Sequence, residues 1–208
     1  MPLVRKPGKS SAPSTPGTQD VLASLSSPDE DKRWSAARAA ADIDGGAAAL
    51  IAALRTEPSE RVREAMFTSL ARIGTPECVA GVLPLLRSDD ANLRTGALDA
   101  LRVMTSSVRD LLPPLLHDSD VDVRILSCEL ARSLPGEDAT HMLCELLANE
   151  RDVNVCAAAI DVLAEVGNAR ALPVLAACAH RFPDTPFLAF AIQIATDRIH
   201  AQSTLTSE

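Results

Sequence analysis

The chain has 208 residues, of which 47% are hydrophobic and only 2% aromatic, and its formal net charge is −8. That is enough apolar side chain for a core, but the negative balance argues against a nucleic-acid partner, whose phosphates call for a basic groove. No stretch approaches the ~18 consecutive apolar residues of a membrane span, so no membrane partner is expected.

In chain order, residues 1–19 come first and differ in kind from the rest of the chain. Pro2, Pro7, Pro13 and Pro16 lie among Ser, Gly and Thr, with Arg5, Lys6 and Lys9 as the only charges. This composition predicts a disordered basic tail. It lacks the apolar run of a signal peptide, so a cytoplasmic setting is expected.

Residues 20–200 carry a repeat of about thirty residues. Arg33, Arg63, Arg94, Arg124 and Cys156 are spaced by 30, 31, 30 and 32. Seven residues after each come Ala40, Leu70, Leu101, Ala131 and Leu163, and ten after come Ile43, Ile73, Met104, Leu134 and Val166. The next residue is Asp44, Gly74, Thr105, Pro135 or Gly167, the type that stops a helix. Apolar positions three, four and seven apart give each helix one buried stripe. A second helix is expected in each unit, over 47–54, 78–86, 108–116, 139–147 and 170–179. Pro84 and the pair Pro113–Pro114 fall inside two of them and should kink them, unless Pro113 opens a new segment. Residues 201–208 read as a disordered C-terminal tail. The expected fold is all-α: a right-handed α-solenoid of about five hairpins with a half-repeat at each end, in which each unit buries its face only against its neighbours.

The repeat resembles the HEAT family, in particular its short bacterial form first associated with phycobilisome lyases. The resemblance rests on Asp-x-x-x-Arg at the start of the first helix, in Asp29 with Arg33, Asp90 with Arg94 and Asp120 with Arg124, and on Ile73-Gly74 and Val166-Gly167 at its end. Two units depart from it: Ser59 stands where Asp is expected, and Cys156 where Arg is expected. Any Asp–Arg ladder should be broken or rerouted there. Arg33, Arg63, Arg94 and Arg124 are expected to hold inter-repeat turns as a structural ladder rather than to touch a ligand.

Little suggests chemistry. The five cysteines, Cys78, Cys128, Cys144, Cys156 and Cys178, include no Cys-x-x-Cys pair, which speaks against a disulfide framework or a zinc site. His141 and Cys144 stand at i and i+3, but two ligands do not make a metal site, and no metal or cofactor is expected. Glu137, Asp138 and Glu145 with His117, His141 and His180 form no recognisable nucleophile, base and orienting group, so no catalytic residue is assigned.

The resemblance implies a binding scaffold whose second helices line a concave face. On that face the repeat alignment places Arg87, His117, Asp110, His141, Glu145, His180, Pro84 and Pro114, among small residues such as Ala80, Ala148 and Ala177. Asp89, Asp90, Asp118, Asp120 and Asp122 fall at the turns entering the first helices and should form an acidic edge that suits a partner protein with a basic surface. Trp34 is expected to cap the N-terminal end against Val21, Leu22 and Leu25. The resulting expectation is a non-catalytic protein-binding adaptor, set in a bacterial signalling or assembly complex. The resemblance also admits a bilin-lyase-like or chaperone-like protein acting on a chromoprotein, and a nucleic-acid-binding type that the charge opposes.

Overall fold

The computed structural model describes residues 17–205. The expected N-terminal tail therefore lies outside the described residues up to position 16, as do residues 206–208. Helix α1 (Thr18–Ser24) begins within the last residues of that expected tail.

Each first helix starts where a short polar side chain can accept the free amides of its first turn. Asp29 caps α2 (Glu30–Ala39) and Gly45 precedes α3 (Gly46–Leu54). Ser59 takes the capping role for α4 (Glu60–Ile73), accepting from the Val62 amide, so the missing Asp costs this unit no cap. α4 ends on Gly74 at φ 65°, and α5 (Pro76–Val82) follows. Asp90 caps α6 (Ala91–Val103). The third unit continues with α7 (Thr105–Val108) and α8 (Leu112–Leu116). Asp120 caps α9 (Val121–Ala131), which leads into α10 (Gly136–Asn149). Asp152 caps α11 (Val153–Val166), followed by α12 (Leu172–Arg181) and α13 (Pro186–Leu205).

The first helices α2, α4, α6, α9, α11 and α13 stack in sequence as one layer. The second helices form the other layer, with α3 against α5, α5 against α7 and α10 against α12. The chain is thus an all-α solenoid of five hairpins, opened by α1 and closed by α13. A single core runs through it from Val21 to Ile199. Leu50, Leu70, Leu101, Leu143, Leu147, Leu163 and Leu175 are fully buried, each worth about 1.5–3 kcal/mol of burial. Ala37, Ala40, Ala97, Ala131, Ala139 and Ala159 are fully buried among them.

The second helices differ from the continuous helices expected of them. The helix expected over 78–86 stops at Val82 and passes into a 3-10 turn, Leu83–Arg87, whose first turn holds Pro84. That expected over 108–116 is split into α7, a 3-10 turn at Arg109–Leu111, and α8, with Pro113 and Pro114 in the first turn of α8. A proline has no amide to give the preceding turn, so it opens a segment here and does not bend an intact one. At the C-terminus α13 runs to Leu205, into the segment read as a tail, and the Gln202 side chain donates to the Glu165 carbonyl of α11.

Candidate partner-binding surfaces

The turns entering the first helices share one local construction. Two residues before each cap, a side chain accepts the cap's amide: Ser27 for Asp29, Glu57 for Ser59, Ser88 for Asp90, Asp118 for Asp120 and Glu150 for Asp152. The ladder arginines reach into these turns. Arg33 forks onto Glu57 at 2.8 and 3.0 Å, and its Nη1 donates to the carbonyl of Ser27, six residues earlier. Arg124 repeats the arrangement with Glu150 at 2.8 and 3.2 Å and with the carbonyl of Asp118. Among the described residues Arg94 makes only the carbonyl bond, to Ser88, and Arg63 bonds the capping carboxylate Asp90 at 3.2 Å. In the fifth unit the Cys156 thiol points at the Glu150 carbonyl, 3.8 Å away, again six residues back.

These pairs set the charge of the edge. Burial disfavours ionised Glu57, but hydrogen bonds from Arg33 and the Ser59 amide outweigh it and hold the carboxyl below its usual range. Glu150 is held down in the same way, against burial, by Arg124 and the amides of Asp152 and Arg151. Asp118 is paired with Arg87, and Asp31 with Arg61 at 2.7 Å. Of the expected acidic edge, Asp90 and Asp118 are thus engaged by Arg63 and Arg87, while Asp89, Asp120 and Asp122 are exposed without an ion pair among the described residues.

On the second-helix layer, Pro84, Arg87, Asp110, Pro114, His117, His141, Glu145 and His180 are all exposed, as are Ala80, Ala148 and Ala177. His141 Nε2 lies 3.7 Å from Glu145 Oε1 across one turn of α10. The His117 ring takes the Pro113 carbonyl at 2.9 Å. Arg87 is tied to Asp118 of the next turn, so part of its charge joins repeats together.

A marked concavity lies on the other layer, where the sequence pattern points to no site. It is a groove of about 600 Å³ between α4 and α6. Phe67, Ala71, Gly96 and Ala100 form its floor and Val103 one wall, with Glu60, Glu64 and Asp99 at its rims. Gly96 makes the floor possible, because a Cβ there would lie 2.5 Å from the Phe67 ring. Val103 is 70% exposed, an unusual place for a large aliphatic side chain. Trp34 is half-buried on α2, with the guanidinium groups of Arg38 and Arg61 over its ring at 4.8 and 4.9 Å.

The cysteines are all free thiols. Burial pushes Cys128 up to about 12. Hydrogen-bond coupling to the neighbouring Cys156 sulfur, helped by Arg181 at 3.7 Å, favours the Cys178 thiolate and holds its pKa below the ordinary thiol value against the effect of burial. Arg181 also donates to the carbonyls of Leu147 and Ala148, so a guanidinium from the second helix joins adjacent units beside the position where Cys156 replaces Arg. Among the described residues no group of three or more His, Cys, Asp or Glu is placed to hold a metal ion, and no helix is long and apolar enough to cross a membrane.

The fold has relatives among solved structures. The archaeal HEAT-like repeats protein from Thermococcus onnurineus NA1 superposes with a TM-score of 0.51 at 17% identity, over 88% of this chain and 87% of that one. The complex of CpcE and CpcF of phycocyanin lyase from Nostoc sp. PCC7120 gives 0.40 at 16% identity, over 95% and 100%. A designed armadillo repeat protein in complex with the peptide (KR)4 gives 0.42 at 17%, over 88% and 98%. No curated protein matches the chain. The family model for HEAT repeats matches residues 18–102, 47–124 and 108–193, which together span nearly all of the two layers. The chain belongs to the HEAT-repeat family.

Proposed function

We propose that this chain is a non-catalytic adaptor that holds another protein on its second-helix layer and is steered to it by the acidic turns. The observation that carries the reading is a continuous exposed surface crossing consecutive repeats, from Pro84 through Pro114 and His117 to His141, Glu145 and His180, with short side chains between them. Short side chains let a partner's backbone approach closely, and no single repeat is wide enough to hold it alone. Asp89 and Asp122, exposed and without an ion pair among the described residues, supply the attraction for a basic partner surface. The setting that fits is the cytoplasm, in a signalling or assembly complex.

The test separates the two contributions. Replacing His141 and Glu145 with Trp should raise the dissociation rate of the complex recovered from cells, whereas Asp89→Lys with Asp122→Lys should slow association and flatten its salt dependence. If neither pair of substitutions alters the complex, the second-helix layer is not the binding face.

A further inference from the structure

We propose that the groove between α4 and α6 is a second docking site, and that its occupant is a basic amphipathic helix of a partner protein. The inference rests on reading the chain as a binding scaffold but uses the opposite layer. The groove follows α4 from Glu60 to Arg72, a length of about 18 Å at 1.5 Å per residue, which matches roughly three turns of helix. Its floor is apolar, and the exposed Val103 adds an apolar wall.

The shape of the walls selects a helix over an extended segment. Both walls are α-helices whose backbone groups are already paired internally, so a strand laid between them would find no edge to bond and would leave its own amides and carbonyls unsatisfied. A helix brings its hydrogen bonds with it and presents side chains at i, i+3, i+4 and i+7 to the floor.

The charges select a basic one. Glu60 and Glu64 stand one turn apart on the α4 wall, exposed, with no ion-pair partner among the described residues. Asp99, on the α6 wall, is already paired with Arg102 one turn away at 3.4 Å, so the open charge of the groove is that of Glu60 and Glu64. The two arginines that line the groove are already engaged, Arg63 with Asp90 and Arg72 with Asp42. Lys or Arg flanking an occupant's apolar stripe would meet the unpartnered Glu60 and Glu64, and an acidic helix would be repelled.

The experiment uses the full chain and a fluorescein-labelled peptide of about 14 residues in which Leu follows the helical period and Lys fills the other positions. Two control peptides have the same composition without the period, or Glu in place of Lys. The periodic basic peptide should bind, and Glu60→Lys with Glu64→Lys, or Val103→Glu alone, should weaken it by about tenfold or more. Asp89→Lys with Asp122→Lys, and the His141 and Glu145 substitutions, should leave it unchanged, which keeps failure here distinct from failure of the second-helix reading. Equal binding of the aperiodic peptide, equal loss on changing Asp89 and Asp122, or indifference to Val103→Glu would each overturn the proposal. Displacement of the probe by a peptide of residues 1–16 would assign the groove to the chain's own basic segment. Self-association abolished by Val103→Glu would assign it to a second copy. Either result would also overturn the partner assignment.

Discussion

Removing the Arg124 guanidinium is the sharpest test of how the repeats are held. Arg124→Ala deletes the fork onto Glu150 and the bonds to the Asp118 and Ser119 carbonyls. The Glu150 side chain, 8% exposed, is left with only the amides of Arg151 and Asp152. Stranding one member of a buried pair costs about 3–5 kcal/mol, and the lower end applies so close to the surface. At about 2–4 °C per kcal/mol for a chain of this size, the melting temperature should fall by roughly 6–12 °C. The pH dependence carries the sign. Glu150 titrates below its usual range when folded, so in the parent its contribution is full above about pH 4.3 and is lost as the pH falls through the depressed value. In the variant, burial without the guanidinium favours the protonated acid, so its stability should improve on acidification from neutral. The gap between the two proteins, measured by urea unfolding with far-UV circular dichroism, should therefore be widest at pH 7 and narrow towards pH 4. A gap under about 1 kcal/mol at pH 7, the size of an exposed pair, would refute the account, as would one that does not change with pH.

Other expectations attach to particular sites. Gly46→Ala should destabilise the first hairpin by about 1–3 kcal/mol, because the new Cβ would run into the Ala40 carbonyl oxygen; a thermal melt unchanged from the parent would contradict this. In hydrogen exchange, α1 and the C-terminal half of α13 should open before α4, α6 and α9, since each end of the array has a neighbour on one side only; uniform protection would count against it. Cys178 is fully buried, so its titration should be read from thiolate ultraviolet absorbance: its transition should lie below the ordinary thiol range, and Arg181→Ala should move it up; an unshifted transition would remove Arg181 from the argument.

The fold was legible because its signal repeats. One apolar stripe is ambiguous, but Arg33, Arg63, Arg94 and Arg124 with their trailing Ala, Leu and Ile positions fix a period, and a period of thirty residues allows little other than stacked hairpins. The breaks in the second helices were half legible: Pro84 and Pro114 stood in view, but whether a proline bends a helix or opens a new segment depends on the packing around it. The acidic edge was legible as a set of positions but not as a set of free charges: the sequence does not show that Arg63 and Arg87 reach Asp90 and Asp118 from the neighbouring unit, while Asp89, Asp120 and Asp122 keep no ion pair among the described residues. The groove was not legible at all. Phe67 and Gly96 lie 29 residues apart, and only the stacking of α4 on α6 turns an aromatic and a missing side chain into one floor. The sole local hint was Val103, an aliphatic residue beyond the buried stripe of its helix.

The turn construction bears on how such an array changes length. Arg33 and Glu57 belong to one hairpin, as do Arg124 and Glu150, whereas the carbonyl that each arginine takes belongs to the turn before it. A copied hairpin with this construction therefore arrives with its own arginine and its own acid, and offers the next unit a carbonyl that every unit has. At this contact no compensating substitution is needed on either side of the insertion. Even a cysteine at the arginine position, as in the fifth unit, finds that carbonyl within reach. Growth by duplication is thus chemically silent at the arginine–carbonyl contact, and adjustment falls on the side chains that meet elsewhere along the joint, such as Phe67 with Gly96.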